Sequence, residues 1–445
     1  MQVSRLLTLL VGGLLLTIAV ESAQGQPEPV DDRVTEVSDL VTRIYPDLET
    51  IYKDIHSHPE LGFAEIRTAA RLAADMRALG FQVTEMVGKT GVVAIYRNGA
   101  GPTVLVRTEL DALPMEEKTG LPYASKVTTL SNGRETFVAH SCGHDIHMAS
   151  WVGTARVLVA MKDKWQGTLM FVAQPAEELL SGAKAMLADG LFTRFPKPDF
   201  AFALHTIAAP YGTMAYNVGA VTSNSDSLEI TFKGRGGHGS APDKTIDPIA
   251  IAAHFITDVQ TVVSREKDPM EFGVVTIGAV QAGTVGNIIP DSATLRGTIR
   301  SYKPAVRDKL LGGVRRTADA AAIMASAPPP DVALVEGGVA VINNEAVVIR
   351  AETVLKAAFG SNNVQRAPPI TASEDFSAFV NEGVPSMFFF VGSYDPLQVA
   401  ESKRPGGKPL PFNHSPLFAP VPEPSIKTSV EAMSLIVLDV LTFRK

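Results

Sequence analysis

Along the chain, short apolar runs stop abruptly at polar residues. Thr103 to Val106 ends at Arg107-Thr108-Glu109-Leu110-Asp111, and Thr168 to Ala173 ends at Gln174-Pro175-Ala176-Glu177-Glu178. Phe200 to Leu204 ends at His205, and Ser386 to Val391 ends at Gly392-Ser393. Runs that are apolar throughout, separated by helical patterns such as Thr68 to Leu79 and Ile146 to Met161, are how buried parallel strands read. They predict an α/β domain, a mostly parallel sheet with helices on both faces.

In the middle the pattern changes. Residues 225–236 (SDSLEITFKGRG), 272–283 (FGVVTIGAVQAG) and 291–301 (DSATLRGTIRS) alternate apolar and polar positions, as half-buried antiparallel strands do. Helical patterns over Pro248 to Val263 and Lys303 to Met324 accompany them, and Pro328 to Pro330 marks the exit. The expectation is a smaller α+β domain, residues 220–335, inserted into a larger one formed by 26–219 and 336–445.

The start of the chain belongs to neither. Met1 to Arg5 is basic, Leu6 to Val20 is apolar, and Ala23-Gln24-Gly25 has the small-x-small form of a cleavage site. An apolar run of this length falls short of the roughly 20 residues a membrane span needs. Residues 1–25 are therefore expected to be an export signal, and the mature protein to be secreted or periplasmic, with no membrane partner.

Charge narrows the partners further. The 47 acidic and 40 basic residues give a net charge of −7 without a basic run, which argues against nucleic acid and points to a small molecule. A single cysteine, Cys142, cannot form an internal disulfide, so an oxidising compartment leaves its thiol available.

Open parallel sheets bind ligands at the carboxyl ends of their strands. Glu109 and Asp111, Glu177 and Glu178, and His205 all fall at such ends. Residues 140–145 (HSCGHD) lie just before a helix with Asp145 as the expected N-cap, which would set Cys142 at a helix terminus that favours thiolate. Taken singly, a lone cysteine reads as a small core residue, adjacent glutamates as a solvated helix start, and His205 or His414 as structural. Together, thiolate, imidazole and carboxylate read as a metal centre, which zinc suits best and manganese or cobalt also fit.

Nine stretches resemble, in content and order, the M20 metallopeptidases, in the branch that includes hippurate, N-acyl-amino-acid and auxin-conjugate hydrolases. They are HSHPELGFAE (56–65), RTELDALPMEEKTGLPYAS (107–125), HSCGHDIHMA (140–149), QPAEE (174–178), ALH (203–205), GRGGHGSAPD (234–243), NIIPDSATLRGTIRS (287–301), SEDFSAF (373–379) and NHSP (413–416). The resemblance runs from about Val34 to the C-terminus. It implies a catalytic domain carrying a lid and dimerisation domain. It also implies two divalent metal ions held by Cys142, His144, Glu178, His205 and His414, with Cys142 bridging them. Glu177 maps to the general base acting on a metal-activated water. His238 maps to a residue that completes the partner's site in a homodimer and stabilises the oxyanion. Asn287 and Arg300 map to positions that grip the substrate's free carboxylate, for which the planar fork of an arginine is suited. The implied reaction is hydrolysis of the amide of an N-acyl amino acid or dipeptide, releasing the free amino acid.

One position departs from the pattern. Members of the family usually carry Arg-Ala-Asp where this chain has Arg107-Thr108-Glu109. Glu109, Asp111, His140, Asp145 and His147 are expected to support ligands rather than to ligate, because a ligating imidazole needs a partner on its other nitrogen.

Three other readings compete. Gly234-x-Gly236-x-x-Gly239 matches a dinucleotide fingerprint, but Pro242 and Pro248 delay the helix that fingerprint requires. Ser181 and Lys184 match the S-x-x-K of serine acyl-transfer enzymes, but Lys118-Thr119-Gly120 precedes them instead of following. An exported two-domain binding protein for amino-acid derivatives would share the bilobal plan, yet needs no general base such as Glu177.

Overall fold

A computed structural model describes residues 32–442 except Asn132, so the export-signal expectation for residues 1–25 lies outside the described residues. An eight-stranded sheet organises the larger part. Its order is Gln82–Val87, Gly91–Asn98, Gly167–Gln174, Thr103–Glu109, Phe200–Pro210, Ser386–Tyr394, Met214–Tyr216, Val364–Arg366. The four central strands run parallel, and antiparallel pairing brings in their outer neighbours. Buried aliphatic and aromatic residues fill both faces. The helices Asp32–Ser57, His144–Ala160 and Pro422–Leu441 pack together on one of them. Nearly every residue of His144–Ala160 is buried, as befits a helix that is apolar all round and enclosed on all sides.

The central strands run further than their apolar stretches. Thr103–Glu109 continues through Arg107, Thr108 and Glu109, all buried, with Arg107 opposite Val172 and Glu109 opposite Gln174. Phe200–Pro210 passes through His205, which lies opposite Phe390. Polar residues can stay in a buried ladder here because ion pairs and hydrogen bonds between side chains satisfy them.

Asp145 is not the N-cap. The helix begins at His144, and the cap is Gly143 at φ +88°. Asp145 sits in the first turn and turns its carboxylate to His56.

Between Asn224 and Glu336 the chain builds a second sheet, entirely antiparallel, ordered Gly273–Ala282, Ser292–Ser301, Asn224–Lys233, Asp331–Glu336. The helices Pro248–Thr261 and Pro304–Met324 close its core around Phe232, Phe255, Leu295 and Leu310. The Gly234 to Gly239 stretch opens no helix. It leads into a two-residue strand, Gly237–His238, paired with Ile288–Ile289. A Cβ on Gly234 would lie 2.3 Å from the Ile246 carbonyl oxygen, so that glycine admits a neighbouring backbone rather than a phosphate. This removes the dinucleotide reading. The serine-enzyme reading fares no better: the Lys184 amine points to the Gly337 carbonyl (3.5 Å), and no hydrogen bond among the described residues joins it to Ser181. No described helix is long and apolar enough to cross a membrane.

Candidate metal centre and active site

Strand ends and two tight loops converge above the carboxyl edge of the main sheet. Cys142 and His144 flank Gly143, where a Cβ would come 2.4 Å from Thr206 Oγ1, so only glycine lets the turn lie against the strand end. Glu177 and Glu178 lie between two non-glycine residues in the left-handed region, Ala176 (φ +47°) and Leu180 (φ +49°). Backbone strain of this kind persists where surroundings over-determine it. Here buried Glu65 accepts the Ala176 N–H at 2.8 Å and the Thr90 hydroxyl at 2.5 Å. His414 is also left-handed (φ +68°) and its N–H donates to Ser141 O at 2.8 Å. Next to it, the Asn413 amide donates to Cys142 O (3.0 Å) and Thr206 O (3.1 Å), fastening the last loop to the other two.

The five residues expected to ligate come together. Cys142 Sγ is 3.4 Å from His205 Nε2 and 3.3 Å from His414 Nε2, and His414 Nε2 is 3.3 Å from Glu178 Oε1. Two sets of three donors, Cys142/His144/His205 and Cys142/Glu178/His414, each lie within 4.8 Å of one another, and the sulfur belongs to both. His144 Nδ1 donates to Asp111 O (2.8 Å) and His205 Nδ1 to Thr206 O (2.8 Å), so both rings turn Nε2 inward. Asp111 also accepts the Glu178 N–H at 2.9 Å. Glu177 Oε2 lies 3.8 Å from His144 Nε2.

This donor set fits cations. His144 Nε2 is buried without a hydrogen bond and Glu178 Oε1 has only its 3.3 Å ion-pair contact with His414, costly conditions that ligation would relieve. Arg107 pairs with Glu109, Glu374 and Asp375, while Asp111, Glu177 and Glu178 add three more carboxylates to the cluster around His144, an excess of negative charge. Burial alone would lower the pKa of His144, but Asp111 and the other carboxylates draw it up to about 10. Burial, then the charges of Glu178 and Glu177, push the Cys142 thiol well above its ordinary value, so the expected effect of a helix terminus does not dominate. The site favours positive charge and has a thiol that would ionise on meeting it.

Residues 105–403 match peptidase family M20/M25/M40. The chain belongs to that family. It is 38% identical over 340 residues to a hippurate hydrolase of Campylobacter jejuni, a match spanning 75% of this chain and 85% of that one. It is 34% identical over 352 residues to an N-acetylcysteine deacetylase of Bacillus subtilis, spanning 77% and 87%. Among solved structures, a dinuclear metal-binding M20 peptidase of Bacillus subtilis superposes with a TM-score of 0.73 at 28% identity, covering 91% of this chain and 99% of that one. The protein is thus an M20 hydrolase of the amidohydrolase or peptidase kind.

Other residues singled out from the sequence have varied surroundings. Glu109 uses its extra methylene to span Arg107 and His147 Nδ1 (3.0 Å). His147 Nε2 accepts the Thr206 N–H at 2.8 Å, so Glu109 steadies the strand end that carries His205. His140 is buried with neither ring nitrogen bonded. Arg300 reaches in from the inserted sheet and is hydrogen-bonded to Ser373 beside the cluster. His238 and Asn287 do not reach this cluster. They are exposed near one another, with the Gly239 N–H donating to Asn287 O (2.8 Å).

Two of the groups that escaped the sequence reading stand out. Glu374, in the 373–379 motif, lines the site and is buried against Arg107 (2.7 Å) and close to Glu177. Burial lifts it to about 7, against the pull of Arg107. The other is His56, held between Asp145 (2.6 Å) and Glu117 (3.1 Å). Burial would lower its pKa, but those two carboxylates outweigh it and raise the value from 6.5 to about 10. A histidine whose pKa rises on folding contributes stability that is complete below the unfolded value and is lost as pH climbs through the folded one. His56→Gln is expected to flatten the decline of the thermal midpoint between pH 6.5 and 10, and an unchanged slope would show that His56 is not its source.

Proposed function

We propose that this protein hydrolyses the amide bond of N-acyl amino acids, with dipeptides as the related alternative, and releases the free amino acid. The observation that carries the reading is the pair of donor sets sharing Cys142, with Glu177 beside them and Arg300 in the same chamber. Cys142, His144, Glu178, His205 and His414 would hold two divalent cations, zinc best matching the sulfur and nitrogen donors. Bound there, such ions supply Lewis acidity toward the scissile carbonyl and make water nucleophilic near neutral pH. Glu177 takes the proton from the attacking water and passes it to the departing nitrogen. Burial and the carboxylates of Glu374, Glu178 and Asp375 raise its proton affinity, which suits that exchange. Arg300 pairs with the substrate's free carboxylate.

Activity of metal-reconstituted protein on N-acyl amino acids, compared with their carboxyl-blocked amides, tests this. Arg300→Ala should lower kcat/KM on the free acids by roughly 10- to 100-fold, from the ~1.5–3 kcal/mol of a charge-assisted hydrogen bond, and should spare the blocked substrates. Equal activity of the unaltered protein on both, or indifference to chelators, would refute the reading.

A second copy of the chain is proposed to complete the site. His238 is paired with Ile288, and Ile249, Val280, Val285 and Ile288 are all exposed on the inserted domain. A homodimer covering them would carry His238 and Asn287 to the partner's chamber, where His238 would donate to the developing oxyanion. A single-chain mass in sedimentation equilibrium at micromolar concentration would contradict it. Export is likewise a proposal, checked by whether the mature protein from its native host begins near residue 26.

A further inference from the structure

Three peptide N–H groups of the segment that carries Glu177 and Glu178 end on buried carboxylates. Ala176 N–H donates to Glu65 Oε1 at 2.8 Å, Glu178 N–H to Asp111 Oδ2 at 2.9 Å, and Ala183 N–H to Asp375 Oδ2 at 3.0 Å. Two of these carboxylates have further partners in the cluster: Asp111 Oδ1 lies 3.5 Å from His144 Nδ1, and Asp375 accepts from Arg107 at 3.2 Å. Glu65 comes from outside it, across 111 positions of sequence.

Its own surroundings do not explain why it points there. Glu65 occupies the N-cap position of the helix Ile66–Ala78, yet its side chain caps nothing. The Arg67 and Thr68 N–H groups go instead to Glu60, at 3.1 and 2.8 Å. A glutamate released from its helix and fully buried needs acceptor work elsewhere. It takes the Ala176 N–H on one oxygen and the Thr90 hydroxyl (2.5 Å) on the other. Thr90 is buried in the turn between Gln82–Val87 and Gly91–Asn98, where the Gly88 N–H donates to Asp189 Oδ2 at 3.0 Å. The clamp is therefore braced by a hairpin that is itself tied to the chain just beyond the loop.

Ala176 immediately precedes Glu177 and stands at φ +47°, a conformation that an alanine keeps only where its surroundings impose it. The residue is fully buried, so an acceptor that fixes its peptide also fixes the direction in which Glu177 leaves the turn. Glu178 answers to a different acceptor. We propose that Glu65 is the positioning residue of the base: through the Ala176 N–H it aims Glu177, whereas Asp111 separately holds Glu178 for ligation. This rests on the amide-hydrolase reading with Glu177 as its base, and adds the group that orients that base.

The two anchors predict a split between turnover and metal binding. Glu65→Leu fills similar space without an acceptor and, in metal-reconstituted protein, should lower kcat on an N-acyl amino acid by roughly ten- to a hundredfold, the scale of a misplacement of about 1 Å. Bound metal and KM should stay as they were. Glu65→Gln keeps an oxygen for Ala176 and offers its amide to the Thr90 oxygen, so kcat should remain within about threefold of the unaltered value. Thr90→Val removes the brace at nearly constant shape and should lower kcat by a smaller factor than Glu65→Leu; it keeps the test valid if that variant folds poorly. In the Glu177→Gln background Glu65→Leu should cost no further turnover, because it acts through the group already lost. A general loss of stability would lower turnover in both backgrounds. Full kcat in both Glu65→Leu and Thr90→Val, equal losses in the Leu and Gln variants, loss of metal in step with turnover, or a further loss in the Glu177→Gln background would each overturn the proposal. Failure of the unaltered protein to cleave N-acyl amino acids would instead strike the amide-hydrolase reading.

Discussion

Glu177→Gln is expected to leave metal content unchanged and to cut kcat by about 10²–10⁴-fold, the range of a positioned proton transfer. The substitution keeps the shape of the side chain, so the loop between Ala176 and Leu180, already held in an unfavourable backbone conformation, has no steric reason to move. What changes is proton capacity. Glu177 is 6% exposed, and burial together with Glu374, Glu178 and Asp375 raises its affinity for a proton. A carboxylate so placed can accept a proton from water and give it up to an amine, whereas an amide can do neither. Metal content by elemental analysis and kcat by steady-state kinetics separate the two effects. Near-normal turnover would move the role to Glu374, the neighbouring carboxylate that also lines the chamber.

The second large effect is expected at Cys142. Its sulfur belongs to both donor sets, so Cys142→Ala removes one donor from each, whereas His414→Ala removes one from a single set. Metal affinity should fall by more than about 100-fold in the cysteine variant, beyond what loss of an outer supporting residue costs. The histidine variant should retain the ion of the Cys142/His144/His205 set, which loses no donor. Because burial and Glu178 raise the thiol pKa, ligation must displace a proton, and affinity in the unaltered protein should increase with pH. Isothermal titration at two pH values, in buffers of different ionisation enthalpy, reads that proton directly. Equal affinity in Cys142→Ala and unaltered protein would remove sulfur from the centre.

Much of this site could be read along the chain because metal chemistry draws on residues that are rare at buried strand ends. Imidazole and paired carboxylates after Val106, Ala173 and Leu204, and the lone thiol before a helix, stand out against their apolar surroundings. Phe390 does not, because within an apolar run it is indistinguishable from core until register sets it beside His205. Arg107, Glu374 and Asp375 were hidden for a different reason: their meaning lies in mutual pairing across 267 and 268 positions of sequence. His56 was visible only as part of a motif, and its bond to Asp145 displaced the cap expected there. The inserted sheet was legible from alternation, yet the exposure of His238 and Asn287, away from the cluster, followed only from how its short strands pair.

The donors also lie far apart along the polypeptide. Cys142 meets His414 across 272 positions, and the strands that bring their loops together pair only after the whole inserted domain has been traversed. Contacts of such separation raise the contact order and slow folding, because loop closure must be met before they form. Holding both ions would therefore need the chain at least through His414, and a nascent or proteolytically shortened copy lacking that residue would be left with an unfinished cradle.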